Sequence, residues 1–421
     1  MIDIFIINLL KLINKLIPTN FLSKKINNFN LHNAVRTIKM LNKAKKKNYS
    51  LNQKKIILFF SGIKLNIKNN DMYQNLLETI SQDKNIGNHR NLLIEQLRNT
   101  NFSSVRFDTW LRLRNIFYLK LEIVLGGICR EKALNYAEKC KPGVFLSKKN
   151  KARARLETTL NIKNFKNHLK QFPLEYDFNQ EIFLKFLSAV HNIEYNISQF
   201  QKDFKDQKFF ETLNGKTIAI VGPAETEHKD ATEIDSFDYV VRFNYTHTGK
   251  NLDEFKKGLK TDISYFNGEQ IDYLIKNNDS KLPNDLKIAC IKDNHTEREK
   301  KLKKANPEKI IKKITNYNML NFYSSFNLLP LVLLDLLETN SKKIKIFHSD
   351  LFLTSIRVAG YKKDLSNKEF IKTFLNHDPM TQHRFLKNLY KNDKIQGDDK
   401  FNEVMQLDTN DYLNKLERLY Q

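Results

Sequence analysis

Cysteine is scarce: Cys129, Cys140 and Cys290 are the only three in 421 residues. They are scattered, odd in number and without the paired spacing of a metal site. That excludes a disulfide framework and points to a reducing compartment. Long apolar runs are missing too, and nothing reaches the ~18–20 residues of a transmembrane helix. Met1 to Ile17 comes nearest, but Asp3, Lys11, Asn14 and Lys15 interrupt it. It also lacks the basic leader and small-residue cleavage site of a signal peptide. No internal repeat and no nucleic-acid motif is visible, and the first half is poor in acidic residues.

That last shortage dominates the charge. Residues 1–210 hold 37 basic and 16 acidic side chains, a difference of +21, out of +24 for the whole chain. Such a half is suited to an anionic lipid surface, a nucleic acid or an acidic glycan; without a matching motif, nucleic acid is not expected as a partner. Leu9, Leu10, Ile13, Leu16 and Ile17 fall at helical spacing, with Lys24, Lys25 and the cluster Lys43, Lys45, Lys46 and Lys47 beyond them. An apolar stripe beside cations predicts peripheral attachment at the inner face of the membrane for an otherwise cytoplasmic protein. An ordinary helix packed on its own domain is the alternative.

An apolar fraction of 41% is enough for a real core. Residues 1–210 read as a basic, mainly helical domain, with helices over Asn91 to Arg98, Thr109 to Leu125 and Gln180 to Phe200. Gly126-Gly127 and Lys141-Pro142-Gly143 read as breaks, and Lys148 to Arg155 as a solvated basic face. Phe107, Trp110 and Phe117 read as core, and no chemistry is legible in this half.

From Lys216 the pattern changes. The run Thr217-Ile218-Ala219-Ile220-Val221 ends in Gly222-Pro223-Ala224, a buried strand followed by a sharp turn. Asp238 to Phe243 predicts a second strand, delivering Arg242 and Asn244 at its end. Asp262 to Phe266 predicts a third, ending in Asn267 and Gly268. Leu286 to Ile291 and Ile344 to His348 read as two more. Strands that terminate in small or amide residues predict an open α/β sheet with its ligand beyond the carboxyl ends. Asn294 to Lys313 reads as an exposed charged helix. Leu328 to Leu337 reads as a buried helix capped by Ser324 or Ser325, where a phosphate could also sit. The stretch from Asn376 to Arg384 reads as a loop opening a helix over Phe385 to Tyr390. In it, His377 can act as a base, with a carboxylate beside it.

The region Gly215 to Asn267 resembles the L motif of the sialyltransferases of glycosyltransferase family 29. The resemblance centres on Glu233-Ile234-Asp235-Ser236-Phe237-Asp238-Tyr239-Val240-Val241-Arg242-Phe243-Asn244. Tyr323 to Asp350 is similar to the S motif, and His377-Asp378 through Gln382 resembles the very short motif. The three blocks keep the family's order over about 175 residues. The resemblance implies a Rossmann-like nucleotide-sugar transferase domain, a GT-A-like variant, over 211–421. It implies a CMP-sialic acid donor or a related CMP-sugar, a glycan acceptor, inversion at the anomeric carbon and no metal or other cofactor. Donor binding falls to Gly222, Pro223, Ala224, Asn244, Asn267, Ser324, Ser325 and Tyr361. His377 becomes the general base, oriented by Asp378.

The chain also departs from the family pattern. Pro223-Ala224 stands where the family has Asn-Gly, Phe326 replaces a Gly, and Ile218 replaces a Cys. Between Asp350 and His377 the expected His is absent, with Tyr361 as the polar aromatic available. A degenerate glycan- or nucleotide-binding protein on the same fold is therefore the second reading.

Overall fold

The computed structural model describes residues 22–47, 50–60, 63, 70–81, 88–139, 148–158, 180–191, 204–245, 254–277, 280–292, 296–354 and 370–421. Met1 to Ile17, Cys140, the break at Lys141-Pro142-Gly143 and Tyr361 lie outside them.

The described elements up to residue 213 are helical: α1 (Leu22–Lys46), α2 (Leu51–Phe60), α3 (Asn70–Ser81), α4 (Asn88–Asn99), α5 (Phe107–Leu119), α6 (Ile123–Lys139), α7 (Lys148–Thr158), α8 (Gln180–His191) and α9 (Phe204–Leu213), with a 3₁₀ turn at Phe102–Ser104. There follow β1 (Thr217–Val221), α10 (Ala231–Ser236), β2 (Tyr239–Phe243), α11 (Glu254–Lys257), β3 (Ile263–Phe266), α12 (Gly268–Asn277), β4 (Ile288–Ile291), α13 (Thr296–Ala305) and β5 (Ile310–Lys313). The chain closes with α14 (Leu328–Leu337), β6 (Lys343–Phe347), α15 (Lys372–Asn376), α16 (Pro379–Lys391), β7 (Gln396–Gly397), α17 (Asp399–Gln406) and α18 (Thr409–Tyr420).

The seven strands form one sheet in the order β5-β4-β3-β2-β1-β6-β7, and every pairing is parallel. The protein is therefore an α/β protein, consistent with a Rossmann-like arrangement. All-parallel sheets need both faces covered, and the side chains divide accordingly. Ile218 and Ile220 of β1, Tyr265 of β3 and Ile346 of β6 face a large core shared with α14 and the preceding helices. Their alternates face the other way, onto α10 through Ile234 and Phe237, and onto α12 and α13 through Ile271, Leu274 and Leu302. The period-two switch of strand side chains produces this division.

The hydrophobic core does not divide at residue 210. One buried cluster runs from Ala34 through Trp110 and Phe183 to Leu333, Leu386 and Tyr420. Among the described residues no helix is long and apolar enough to cross a membrane.

Several sequence expectations need correction. The helix foreseen over Thr109 to Leu125 is two helices, parted where Leu121 takes a left-handed φ of 63°. Gly126 and Gly127 do not break a helix but lie buried inside α6. A Cβ on Gly126 would overlap the Tyr118 ring, and one on Gly127 would overlap Leu413. Close helix packing, not a turn, explains this pair. The basic run from Lys148 forms α7 and buries Ala152, Ala154 and Leu156. Asn294 to Lys313 is not one exposed helix: α13 ends at Ala305 and β5 follows. Lys312, which made the stretch look exposed, is buried and pairs with Asp335 of α14 at 2.9 Å. The cap of α14 is Asn327, neither serine, and it makes no side-chain cap bond. The segment Pro379 to Arg384 is already helical, as the first half of α16.

Candidate functional site

Strand order reverses at β1, which has β2 on one side and β6 on the other. In open α/β sheets a crevice opens at such a point, beyond the carboxyl ends. The turn after β1 is bound tightly to the end of β6. Gly222 donates its N–H to the Phe347 carbonyl at 2.8 Å, and Ala224 donates to the His348 carbonyl at 3.1 Å. Any Cβ on Gly222 would overlap that His348 carbonyl, so the glycine is required for the close approach. Gly222 lies under the turn, while Pro223 and Ala224 line an open cleft.

Asn244 and Asn267 line the same cleft from the ends of β2 and β3. Asn244 has a left-handed φ of 53°, a conformation asparagine tolerates. Its Oδ1 accepts the backbone N–H of Asn267 at 2.9 Å. The Oδ1 of Asn267 in turn accepts from Gln270 N–H at 2.8 Å, capping α12. With both oxygens engaged by backbone donors, each residue presents its amide NH₂ as the remaining polar end. Arg242, expected at the end of β2, is instead buried. Its guanidinium donates to the carbonyls of Lys257 at 2.7 Å and Gly258 at 2.9 Å, and burial lowers its pKa to about 10. The acidic residues of the same block are also structural. Asp235 accepts from the N–H groups of Leu259 and Lys260 at 3.1 Å, and Asp238 accepts from Thr217 N–H at 2.8 Å.

His377, at the end of α15, completes the lining. Its Nδ1 lies 3.0 Å from the Ser325 carbonyl oxygen. A carbonyl only accepts, so Nδ1 carries the proton and Nε2 is the basic nitrogen of the neutral ring. The serines therefore hold the His377 turn and do not line the cleft. Ser324 Oγ accepts the Asp378 N–H at 3.2 Å, and the Ser325 carbonyl also accepts from Gln382 Nε2 at 3.0 Å.

Asp378 does not play its expected part as the orienting carboxylate. It is fully buried and caps α16 by accepting Thr381 N–H at 3.2 Å. It also accepts from Tyr118 Oη at 3.1 Å and pairs with Arg114 at 3.4 Å and Arg130 at 3.3 Å. Those partners come from α5 and α6, so the helical half contributes groups that hold the turn carrying His377. The Ser325 carbonyl takes over the orienting role.

Five of the expected residues thus meet in one cleft: Pro223, Ala224, Asn244, Asn267 and His377. Gly222, Ser324, Ser325 and Asp378 support it from behind. The two residues of the lining with acidic or basic side chains other than histidine had not been singled out from the sequence: Lys292 just past β4 and Asp350 just past β6. Each directly follows a core strand or its terminal turn, the same position that singled out Asn244 and Asn267.

Asp230, His348 and Asp398 bring ligand atoms within 4.8 Å of one another. Nevertheless His348 Nε2 lies 3.1 Å from the Lys256 carbonyl, and Nδ1 lies 2.6 Å from Thr226 Oγ1. The ring is therefore a neutral Nε2–H tautomer, with its lone pair taken by the threonine hydroxyl and none directed at a cation.

No family model matches the chain, and no curated protein matches it.

Proposed function

We propose that this protein is a glycosyltransferase that moves sialic acid, or a related CMP-activated keto-sugar, to a glycan hydroxyl with inversion. The carrying observation is the cleft past the sheet's carboxyl ends, where two asparagine amides and a histidine of defined tautomer line one space. In this reading the nucleotide lies against Pro223, Ala224, Asn244 and Asn267, in a GT-A-like variant of the parallel fold. The acceptor hydroxyl oxygen attacks the anomeric carbon while the bond from that carbon to the phosphate oxygen breaks. The hydroxyl proton passes to His377 Nε2, and CMP departs with the bonding electrons. This displacement calls on no metal or other cofactor.

A positioned base contributes ~10²–10⁴ in rate. His377→Ala is therefore expected to slow CMP release from CMP-sialic acid by that factor while CMP still binds. Asn244→Ala is expected to weaken CMP binding instead. Near wild-type turnover by His377→Ala would reject the base assignment. Pro223 favours a second reading, a binding protein without catalysis, because proline offers no N–H donor at the turn nearest the crevice. Wild-type protein that binds CMP-sialic acid but releases no CMP, with or without glycan acceptors, would establish that reading.

The N-terminal stripe and its lysines carry the proposed peripheral attachment to an anionic membrane surface. Equal sedimentation with anionic vesicles after removal of residues 1–50 would count against it.

A further inference from the structure

The cleft contains a charge that the proposed mechanism does not use. Lys292 is the one lysine or arginine among the described lining residues. It is partly buried, and its backbone N–H is fixed to the Phe266 carbonyl at 2.9 Å. No described carboxylate or carbonyl partners its ammonium group. Burial alone pushes its pKa below the ordinary lysine range, and no acidic neighbour raises it again. Other inward lysines of this sheet region are matched: Lys312 has Asp335 at 2.9 Å, and Lys257 has the Ala224 carbonyl at 2.7 Å.

The cleft's buried carboxylate does not neutralise Lys292. Asp350 is 3% exposed, its Oδ1 accepts Phe352 N–H at 3.0 Å, and its Oδ2 is buried without a hydrogen-bond partner. It follows β6, whereas Lys292 follows β4, and three strands lie between them. At ~4.8 Å per strand spacing the two strand ends are about 19 Å apart. The cleft is therefore cationic at its β4 end and anionic at its β6 end.

We infer that Lys292 is the anchor for an oxyanion of the bound ligand, which lies with that group toward β4 and its hydroxyl-bearing part toward Asp350. This rests on the reading of the cleft as a ligand site and adds a residue outside every block that resembles the sialyltransferases. A desolvated ammonium without a partner is costly, and an anionic ligand supplies the missing charge. In a CMP-sugar of the keto-acid class the oxyanion is either the phosphate or the sugar carboxylate.

Calorimetric titration of the full chain with cytidine, CMP and CMP-sialic acid tests this and separates the two groups. Lys292→Gln is expected to weaken an anionic probe by about tenfold or more and to leave cytidine unchanged. Lys292→Arg is expected to retain most of the wild-type affinity. Weakening of CMP and CMP-sialic acid alike assigns the phosphate; weakening of CMP-sialic acid alone assigns the carboxylate. Unchanged binding of both anions, or an equal loss for cytidine, overturns the inference. If the wild type ignores CMP and CMP-sialic acid but binds pyrophosphate or uridine monophosphate through Lys292, the proposed donor falls and the anchor stands. If no anionic probe binds at all, the anchor falls.

Discussion

His348 and His383 are fully buried, and burial draws each pKa down to about 4. His383 stacks on Tyr412 with centroids 4.4 Å apart, and its Nε2 meets the Val404 carbonyl at 3.2 Å. An unfolded histidine titrates near ~6.5. Each buried ring therefore supports the fold fully above that pH, and the support is lost as pH falls toward 4, because the unfolded chain takes up a proton first. For His383 the loss between pH 7 and pH 5 amounts to about 2 kcal/mol. His383→Phe, which keeps the stack on Tyr412, is expected to reduce the acid-induced fall in unfolding free energy by that amount. Denaturant titrations at the two pH values measure it, and parallel losses in variant and wild type would refute it. Residue by residue, the sequence placed His348 at a strand end, but it put His383 in the same loop as His377, where the structure has the first half of α16. The burial that draws His348 and His383 down to about 4 was not visible there, because the residues that enclose His383 lie about twenty positions or more away.

The pair Gly126 and Gly127 shows how an element can be misread. In a sequence two adjacent glycines signal a turn; here they allow α6 to press against α5 and α18. The two positions differ in what a methyl group would meet. Tyr118 is fully buried and tethered through its hydroxyl to Asp378 at 3.1 Å, so its ring cannot swing aside. Gly126→Ala is expected to destabilise the protein by ~1–3 kcal/mol through overpacking, despite the better helix propensity of alanine. Gly127→Ala meets only the tip of Leu413, and a smaller cost is expected. Chemical denaturation of the two variants gives the comparison, and equal stabilities would refute it. Most strands were legible: β1, β2, β3 and β4 are mainly apolar runs of the length parallel strands need, and β6 alternates Lys343 and Lys345 with Ile344 and Ile346 before Phe347. β5 was not, because half of Ile310-Ile311-Lys312-Lys313 is lysine and the carboxylate that neutralises Lys312 lies 23 residues further on. The same limit hid Lys292. A lone lysine reads as surface, whereas small and amide residues after strands read as site.

At the scale of the whole molecule, buried charges join distant parts of the chain. Arg130 of α6 donates to both oxygens of Glu157 at 2.8 and 2.7 Å, to the Phe322 carbonyl at 2.7 Å, and pairs with Asp378 at 3.3 Å. Removing one partner from such a network leaves the others buried and uncompensated, at a cost of ~3–5 kcal/mol. Arg130→Met is expected to lose stability on that scale, with helical and tertiary signals lost in a single transition. A loss under 1 kcal/mol, or two separate transitions, would show that the helical half and the sheet are independent.

Arg90 and Glu417 form an ion pair across 327 positions of sequence, and Glu417 also accepts the backbone N–H of Val124 at 2.8 Å. During synthesis α4, α5 and α6 leave the ribosome long before α18 exists. Throughout that interval the face that will meet Tyr412, Leu413 and Leu416 has nothing to cover it. Closure of that face must wait for Thr409–Tyr420 of α18, so this part of the core forms only well after α4, α5 and α6 have been made. Contacts this remote in sequence make that last step slow and the waiting chain prone to aggregate.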